Sequence, residues 1–259
     1  VSEAAQTETA QIDAAQFEAA ANLLSSASKV CILTGAGVSK ESGIPTFRDA
    51  QTGLWAQYDP QELASPQGFL RDPGLVWRWY DGRRKKLDEV KPNPGHYAIA
   101  EMEALFSEVM VITQNVDGLH QQSGSTNVLE LHGNITTFHC FDRMHKCESV
   151  SIGLDTPPLC HCGSLLRPSV VWFGEALPPG VLEAARAAVA RCDVIFVVGT
   201  SGIVHPAASL PMIAKRAGAV VVEINREPTP ITSLADIVVQ QESGKALPEI
   251  LERFKELRR

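Results

Sequence analysis

Four apolar residues, Val30-Cys31-Ile32-Leu33, run almost directly into Gly35-Ala36-Gly37. A buried strand that ends in a glycine turn is how a nucleotide-binding strand–turn–helix unit begins. Gly35 and Gly37 let the backbone turn tightly and approach a pyrophosphate. A helix opening through Ala36 and Ser39 then offers free N–H groups to phosphate. The fingerprint is incomplete. The third glycine of G-x-G-x-x-G would fall at position 40, which is Lys40. No second strand ending in an acidic ribose reader follows about 20 residues on. A loop with Pro45, Phe47, Arg48, Gly53 and Trp55 stands there instead. The competing reading is a glycine turn that only reverses the chain. The coincidence of strand, glycines and basic loop favours a dinucleotide site without a dehydrogenase continuation.

The rest of the chain alternates apolar strands with helices. A helix is expected over about 13–26, after twelve small, polar and acidic residues expected to be disordered. Asp72-Pro73 and Asn93-Pro94 each offer an N-cap followed by a proline that starts a helix. Val109–Thr113, Val194–Val198, Val220–Ile224 and Ile237–Val239 read as strands, with helices near 179–191, after Pro206 and from about 247. This pattern predicts an α/β fold with a Rossmann-like parallel sheet covered on both faces. The expected domain comprises residues 13–133 and 170–259. Residues 134–169, with clustered cysteines and few apolar runs, read as an inserted module resembling a zinc ribbon.

Ligands of open parallel sheets sit outside the carboxyl ends of the strands. The residues just after the strands here are Gly35–Ser39, Gln114–Asp117, Gly199-Thr200-Ser201 and Asn225-Arg226. Any one group is an ordinary turn former. Four ends together predict a ligand crevice.

With a net charge of −7 over 259 residues, the chain lacks the basic face that sequence-independent nucleic-acid binding requires. Arg83-Arg84-Lys85-Lys86 is too short to reverse that. No apolar run approaches the ~18 residues that a membrane span takes. Of six cysteines, Cys31 and Cys192 fall in apolar strand surroundings and read as core thiols, whereas Cys140, Cys147, Cys160 and Cys162 crowd together. Such a cluster suggests metal more than disulfides, with a reducing, cytoplasmic location as the expectation.

Gly35-Ala36-Gly37-Val38-Ser39 with Gly43-Ile44-Pro45-Thr46-Phe47-Arg48, then Gln114-Asn115-Val116-Asp117, His132-Gly133, Val171-Trp172-Phe173-Gly174-Glu175 and Gly199-Thr200-Ser201 resemble the sirtuins in residues and order. The resemblance covers nearly the whole chain from about 20 to 255. It implies an NAD-dependent deacylase that acts on acylated lysine side chains of proteins. The acyl oxygen attacks the ribose carbon bearing nicotinamide, and O-acyl-ADP-ribose and free lysine result. By this resemblance His132 is the general base, Asn115 holds ribose or its water, and Asp117 holds the nicotinamide carboxamide. Phe47 shields the reacting ring, Arg48 lies near the phosphates, and Thr46 belongs to the cofactor-binding set. Gly199, Ser201 and Asn225 hold the adenosine half, and Gln114, Thr200 and Arg226 complete the cofactor-binding set. Val171, Phe173, Gly174 and Glu175 pair with an extended substrate peptide.

Two features refine this expectation. Tyr80 and Arg83 are spaced to share a helix face, and a Tyr hydroxyl beside a guanidinium fork suits a carboxylate. In the resembled class that removes succinyl, malonyl or glutaryl groups, such a Tyr-x-x-Arg pair reads the acyl carboxylate. The bland alternative is a core tyrosine beside a solvated arginine, and Gly82 between them weakens the helix. Most sirtuins also carry structural zinc on two close cysteine pairs. Here Cys140, Cys147, Cys160 and Cys162 are the expected ligands, with His145 or His161 as substitutes, although the spacing departs from that pattern. Two other functions share the NAD site: a mono-ADP-ribosyltransferase and an inactive NAD or ADP-ribose sensor.

Overall fold

The computed structural model describes residues 3–45, 59–147 and 155–259. The chain begins with α1 (Glu3–Ser26), β1 (Lys29–Thr34) and the short α2 (Gly37–Lys40). Next come α3 (Pro60–Leu63), α4 (Pro66–Arg71), α5 (Pro73–Leu87) and α6 (Pro94–Met102). β2 (Glu108–Thr113), α7 (Leu119–Gln122) and β3 (Val128–Glu130) follow. β4 (Gly133–Cys140), β5 (Lys146–Cys147) and β6 (Leu166–Val170) form a separate antiparallel sheet in the order β5-β4-β6. The chain closes with α8 (Val181–Val189), β7 (Val194–Val198), α9 (Leu210–Arg216), β8 (Val220–Ile224), β9 (Ile237–Val239) and α10 (Ser243–Leu257).

The main sheet is parallel, in the order β3-β2-β1-β7-β8-β9. This is the Rossmann-like sheet expected from the alternation. Successive strand residues point to opposite faces, so each central strand feeds two cores. Val30 and Ile32 of β1 join Phe196 of β7 under α1, α6 and α10, where Phe17, Leu24, Ile99, Met102, Leu247 and Phe254 pack. Cys31 and Leu33 join Ile195 and Val197 under α8 and α9, with Ala185, Val189, Leu210 and Ala214. Both faces are covered, which explains the unbroken apolar runs. Chain order reverses between β1 and β7, and this switch point opens a crevice at their carboxyl ends.

Two differences from the sequence reading stand out. The first helix starts at Glu3, so residues expected to be disordered continue it. Their sequence is rich in alanine, the strongest helix former, and that outweighs its polarity. The helices α3–α5 pack on the small sheet. Phe69, Val76 and Tyr80 meet Ile135 and Trp172, and Trp77 meets Phe138, Cys140 and Leu166. The chain thus visits the small lobe twice, and the crevice lies where it leaves and re-enters the main sheet. Among the described residues no helix is long and apolar enough to cross a membrane.

Candidate active site

The loops after β1 and β7 interlock. Gly35 N–H donates to the Val198 carbonyl at 3.0 Å, and Gly37 N–H donates to the Gly199 carbonyl at 2.8 Å. A Cβ on Gly37 would lie 2.7 Å from Gly199 Cα, so only glycine permits this approach. From β2, Gln114 reaches across to the same loops. Its Nε2 donates to Thr200 Oγ1 at 2.9 Å and to the Thr34 carbonyl at 3.3 Å. Asn225, after β8, donates from Nδ2 to the Thr200 carbonyl at 2.8 Å. Four strand ends are therefore tied into one wall.

Beneath the wall lies a polar hub. Asn115 Nδ2 donates to Ser39 Oγ at 3.0 Å and to the Gly35 carbonyl at 3.1 Å. Ser39 Oγ in turn donates to Asp117 Oδ2 at 2.8 Å, and Leu119 N–H donates to Asp117 Oδ1 at 3.0 Å. Burial pushes the Asp117 carboxyl above its usual range, and these two donors and Arg83 oppose the rise. Behind the hub, His120 Nε2 lies 3.0 Å from Thr34 Oγ1, which donates to Thr113 Oγ1 at 2.8 Å. Because Thr34 spends its proton there, the histidine is the donor. His120 is pushed down to about 3, by burial first and then by His96. Its neighbour His96 is pushed down to about 4 by burial. Both rings are neutral near pH 7.

His132 stands between β3 and β4 at the mouth of the hub. Its Nδ1 lies 3.0 Å from the Gln114 carbonyl, an acceptor, so Nδ1 carries the proton and Nε2 is the free base. Burial lowers its pKa, and the Gln114 carbonyl partly opposes this. A neutral imidazole of fixed tautomer is what a general base requires. Gly133, with φ of +77°, places it: a Cβ there would sit 1.9 Å from the Ser169 carbonyl oxygen.

A cavity of about 1660 Å³ connects these parts. Gly35, Ala36, Gly37, Gln114, Asn115 and His132 line it, as do Gly199, Thr200, Ser201, Asn225 and Arg226. Tyr80 and Arg83 reach the same cavity from α5, which runs unbroken through Gly82. Val171, Phe173, Gly174 and Glu175 border it. Ser39 and Asp117 lie one layer behind. Thr46, Phe47 and Arg48 lie outside the described residues. The far wall was not anticipated from sequence: Leu177–Pro179, Ile203–Pro206, Glu227–Pro230 and Gln241–Ser243. Pro206 follows the end of β7, and Pro228 and Pro230 follow β8, which is the one signal that marks these two segments.

Two predicted substrate contacts have partners within the chain. Val171 N–H donates to the His132 carbonyl and Phe173 N–H to the Ala64 carbonyl, at 2.9 and 2.8 Å. Strand addition here has to use the segment's remaining groups. Glu175 takes a two-pronged bond from the buried Arg167, at 2.5 and 2.8 Å, and accepts from Trp172 N–H at 2.8 Å. Its carboxylate braces the segment.

The cluster brings together three of the four expected cysteines with His145, one of the two substitutes expected. The metal-binding atoms of Cys140, His145, Cys160 and Cys162 all lie within 4.8 Å of one another. Cys147 is not among them; its Sγ lies 3.7 Å from the His145 carbonyl. The tight turn after β4 is the cause. Met144, at φ of 56°, folds the chain back so that His145 N–H reaches Cys140 Sγ at 3.4 Å. Cys140 and Cys162 are 3.8 Å apart, as are Cys160 Sγ and His145 Nδ1. A tetrahedron with Zn–S bonds of about 2.3 Å has edges of about 3.8 Å. Three thiolates and one imidazole therefore fit a closed, structural zinc site.

Comparison with known proteins decides the family. The sequence model of the Sir2 family matches residues 35–206. The chain belongs to the Sir2 family. It is 54% identical over 241 residues to "NAD-dependent protein deacylase 2" of Pyrobaculum aerophilum, covering 91% of this chain and 94% of that protein. It is 48% identical to the NAD-dependent protein deacylase of Ralstonia nicotianae, covering 94% and 99%. Among solved structures, a Sir2 homologue in complex with NAD superposes with a TM-score of 0.86 at 46% identity, over 92% of this chain and 93% of that one. A Sir2 protein bound to a myristoylated histone peptide matches with a TM-score of 0.74 at 36% identity, covering 94% and 98%. The fold expected from the sequence is thus the Sir2 fold.

Proposed function

We propose that this Sir2-family enzyme, an NAD-dependent protein deacylase, prefers lysine acyl groups that end in a carboxylate. Succinyl, malonyl and glutaryl groups are the class. The observation that carries the reading is the placement of Tyr80 and Arg83 on one wall of the cavity that also holds His132. A half-buried guanidinium beside a phenol offers charged and neutral donors together, a set well suited to a carboxylate. Burial lowers the Arg83 pKa, and nearby Tyr80 and Asp117 oppose that.

NAD is the co-substrate, and it supplies an electrophilic ribose carbon once nicotinamide departs. Glycines 35, 37 and 199 and Asn225 suit its phosphates and adenosine, because they let backbone and small polar groups approach closely. Thr46, Phe47 and Arg48 complete this set in the proposal. Asn115 and Asp117 orient the nicotinamide half, held by Ser39. His132 Nε2 takes a proton from a ribose hydroxyl, and the Gln114 carbonyl keeps its tautomer fixed. The acyl-lysine enters over Val171–Glu175, which supports an acylated peptide as the partner. Zinc held by Cys140, His145, Cys160 and Cys162 would be structural, because these residues belong to the small lobe and none lines the cavity.

The test compares kcat/KM for succinyl-lysine and acetyl-lysine peptides in wild type and Arg83→Met. Loss of a charge-assisted pair costs about 1.5–3 kcal/mol, roughly 10–100-fold. The succinyl-to-acetyl ratio should fall by that factor. An unchanged ratio overturns the carboxylate reading.

A further inference from the structure

Trp172 stands behind Tyr80 and meets it through a single polar contact. Its indole Nε1–H lies 2.9 Å from the Tyr80 hydroxyl oxygen, and both side chains are 2% exposed. An indole N–H only donates. Tyr80 is therefore the acceptor at this contact, and its own proton is left to donate elsewhere. Among the described residues, Trp172 is the one hydrogen-bond partner of that hydroxyl.

Arg167 and Phe69 hold the indole itself, and Glu175 anchors the backbone beneath it. The Arg167 guanidinium stacks 3.3 Å from its ring centre. Glu175 grips both Arg167 and the Trp172 backbone N–H. Phe69 packs against it with ring centres 5.3 Å apart. Arg167 also donates to the Val170 carbonyl at 2.8 Å. A rigid chain, Glu175–Arg167–Trp172–Tyr80, thus links the peptide-binding segment to the acyl wall.

We infer that Trp172 is a specificity-determining positioning residue, which holds the Tyr80 hydroxyl as an obligate donor aimed at the carboxylate of the acyl group. The inference rests on the carboxylate reading above. Trp172 also borders the cavity, and its part in acyl specificity runs through Tyr80. By filling one lone pair of the phenol oxygen it fixes the direction of the remaining O–H. It also polarises that O–H, as donors in series do. Burial raises the Tyr80 pKa, so the hydroxyl keeps its proton at neutral pH. A fixed donor beside Arg83 adds a second directed bond to the carboxylate. An acetyl group has no atom to receive it.

A double-mutant cycle on the succinyl-to-acetyl kcat/KM ratio tests this. Tyr80→Phe removes the donor and should lower the ratio roughly 10-fold. Trp172→Phe should lower it about 3–10-fold, through the KM of the succinyl peptide and not kcat. In the Tyr80→Phe background, Trp172→Phe should change the ratio less than about twofold, because its target is gone. If the two losses simply multiply, Trp172 acts by packing and the inference is overturned. Should the phenylalanine variant not fold, benzothienylalanine at 172 keeps the ring shape and replaces N–H by sulfur; the same coupling is expected. Arg83→Met separates the two levels. A ratio indifferent to Arg83 sinks the carboxylate reading itself. A ratio that depends on Arg83 with multiplicative losses at 80 and 172 sinks only the role of Trp172.

Discussion

Gly133→Ala offers a sharp perturbation of the proposed catalytic geometry, because one methyl group acts on the residue next to His132, the general base of the proposal. The backbone at Gly133 has φ of +77°. An L-residue there costs about 1–2 kcal/mol. The larger effect is steric. The added Cβ would lie 1.9 Å from the Ser169 carbonyl oxygen. Carbon and oxygen come no closer than about 3.3 Å without repulsion, so β4 and β6 must part by roughly 1.4 Å. That strand junction carries His132, whose carbonyl accepts from Val171 N–H. A displacement of about 1 Å at a catalytic group can cost 10²-fold. Gly218→Ala is the control: its φ is +100°, but a Cβ there meets nothing within 4 Å. Both variants should lose about 2–8 °C of Tm from backbone strain. Only Gly133→Ala should also lose about 100-fold in kcat, measured as nicotinamide release at saturating NAD and peptide. Equal kcat in the two variants would refute the claim that this glycine sets the position of His132.

Metal analysis after gentle purification should find about one zinc per chain. Cys160→Ser should lose it and Cys147→Ser should keep it; the opposite result would return Cys147 to the ligand set. Stability should also depend on pH through the buried histidines. His96 and His120 have folded-state values of about 4 and about 3, below an ordinary histidine, so the unfolded chain takes up protons first as pH falls. The stability from keeping these rings neutral is complete above pH ~6.5 and is lost as pH falls toward 3. Between pH 5 and 6.5 each ring contributes a slope of up to about 1.4 kcal/mol per pH unit. Urea titrations of His96→Asn and His120→Asn should each show a shallower slope than wild type; parallel curves would show that the rings are solvated.

The main sheet was legible because its strands are long, apolar and separated by helices with readable caps. Asp72 accepts from Leu75 N–H at 2.9 Å and Asn93 from Gly95 N–H at 3.0 Å, as the Asp-Pro and Asn-Pro pairs suggest. The crevice was legible because glycine and small polar residues recur at successive strand ends. The small lobe was not. Its sheet joins β4 to β6 across a β-bulge between Asn134 and Phe138, and its core draws on helices some 60 residues earlier in the chain. Neither leaves a period in the sequence. Cys147 was expected first and His145 only as a substitute, because cysteine spacing is visible in one dimension and the choice between them is not. The return of His145 to Cys140 depends on a left-handed turn at Met144, a residue type that gives no warning of it. The pairing of Trp172 with Tyr80 spans 92 positions and required the fold.

The central claim is that NAD is consumed to remove a charged acyl group from lysine. Mass spectrometry of the enzyme incubated with NAD and a succinyl-lysine peptide tests it most directly. Free lysine peptide, nicotinamide and O-succinyl-ADP-ribose should appear in equal amounts. ADP-ribose transferred to protein, or intact NAD beside intact succinyl peptide, would contradict it.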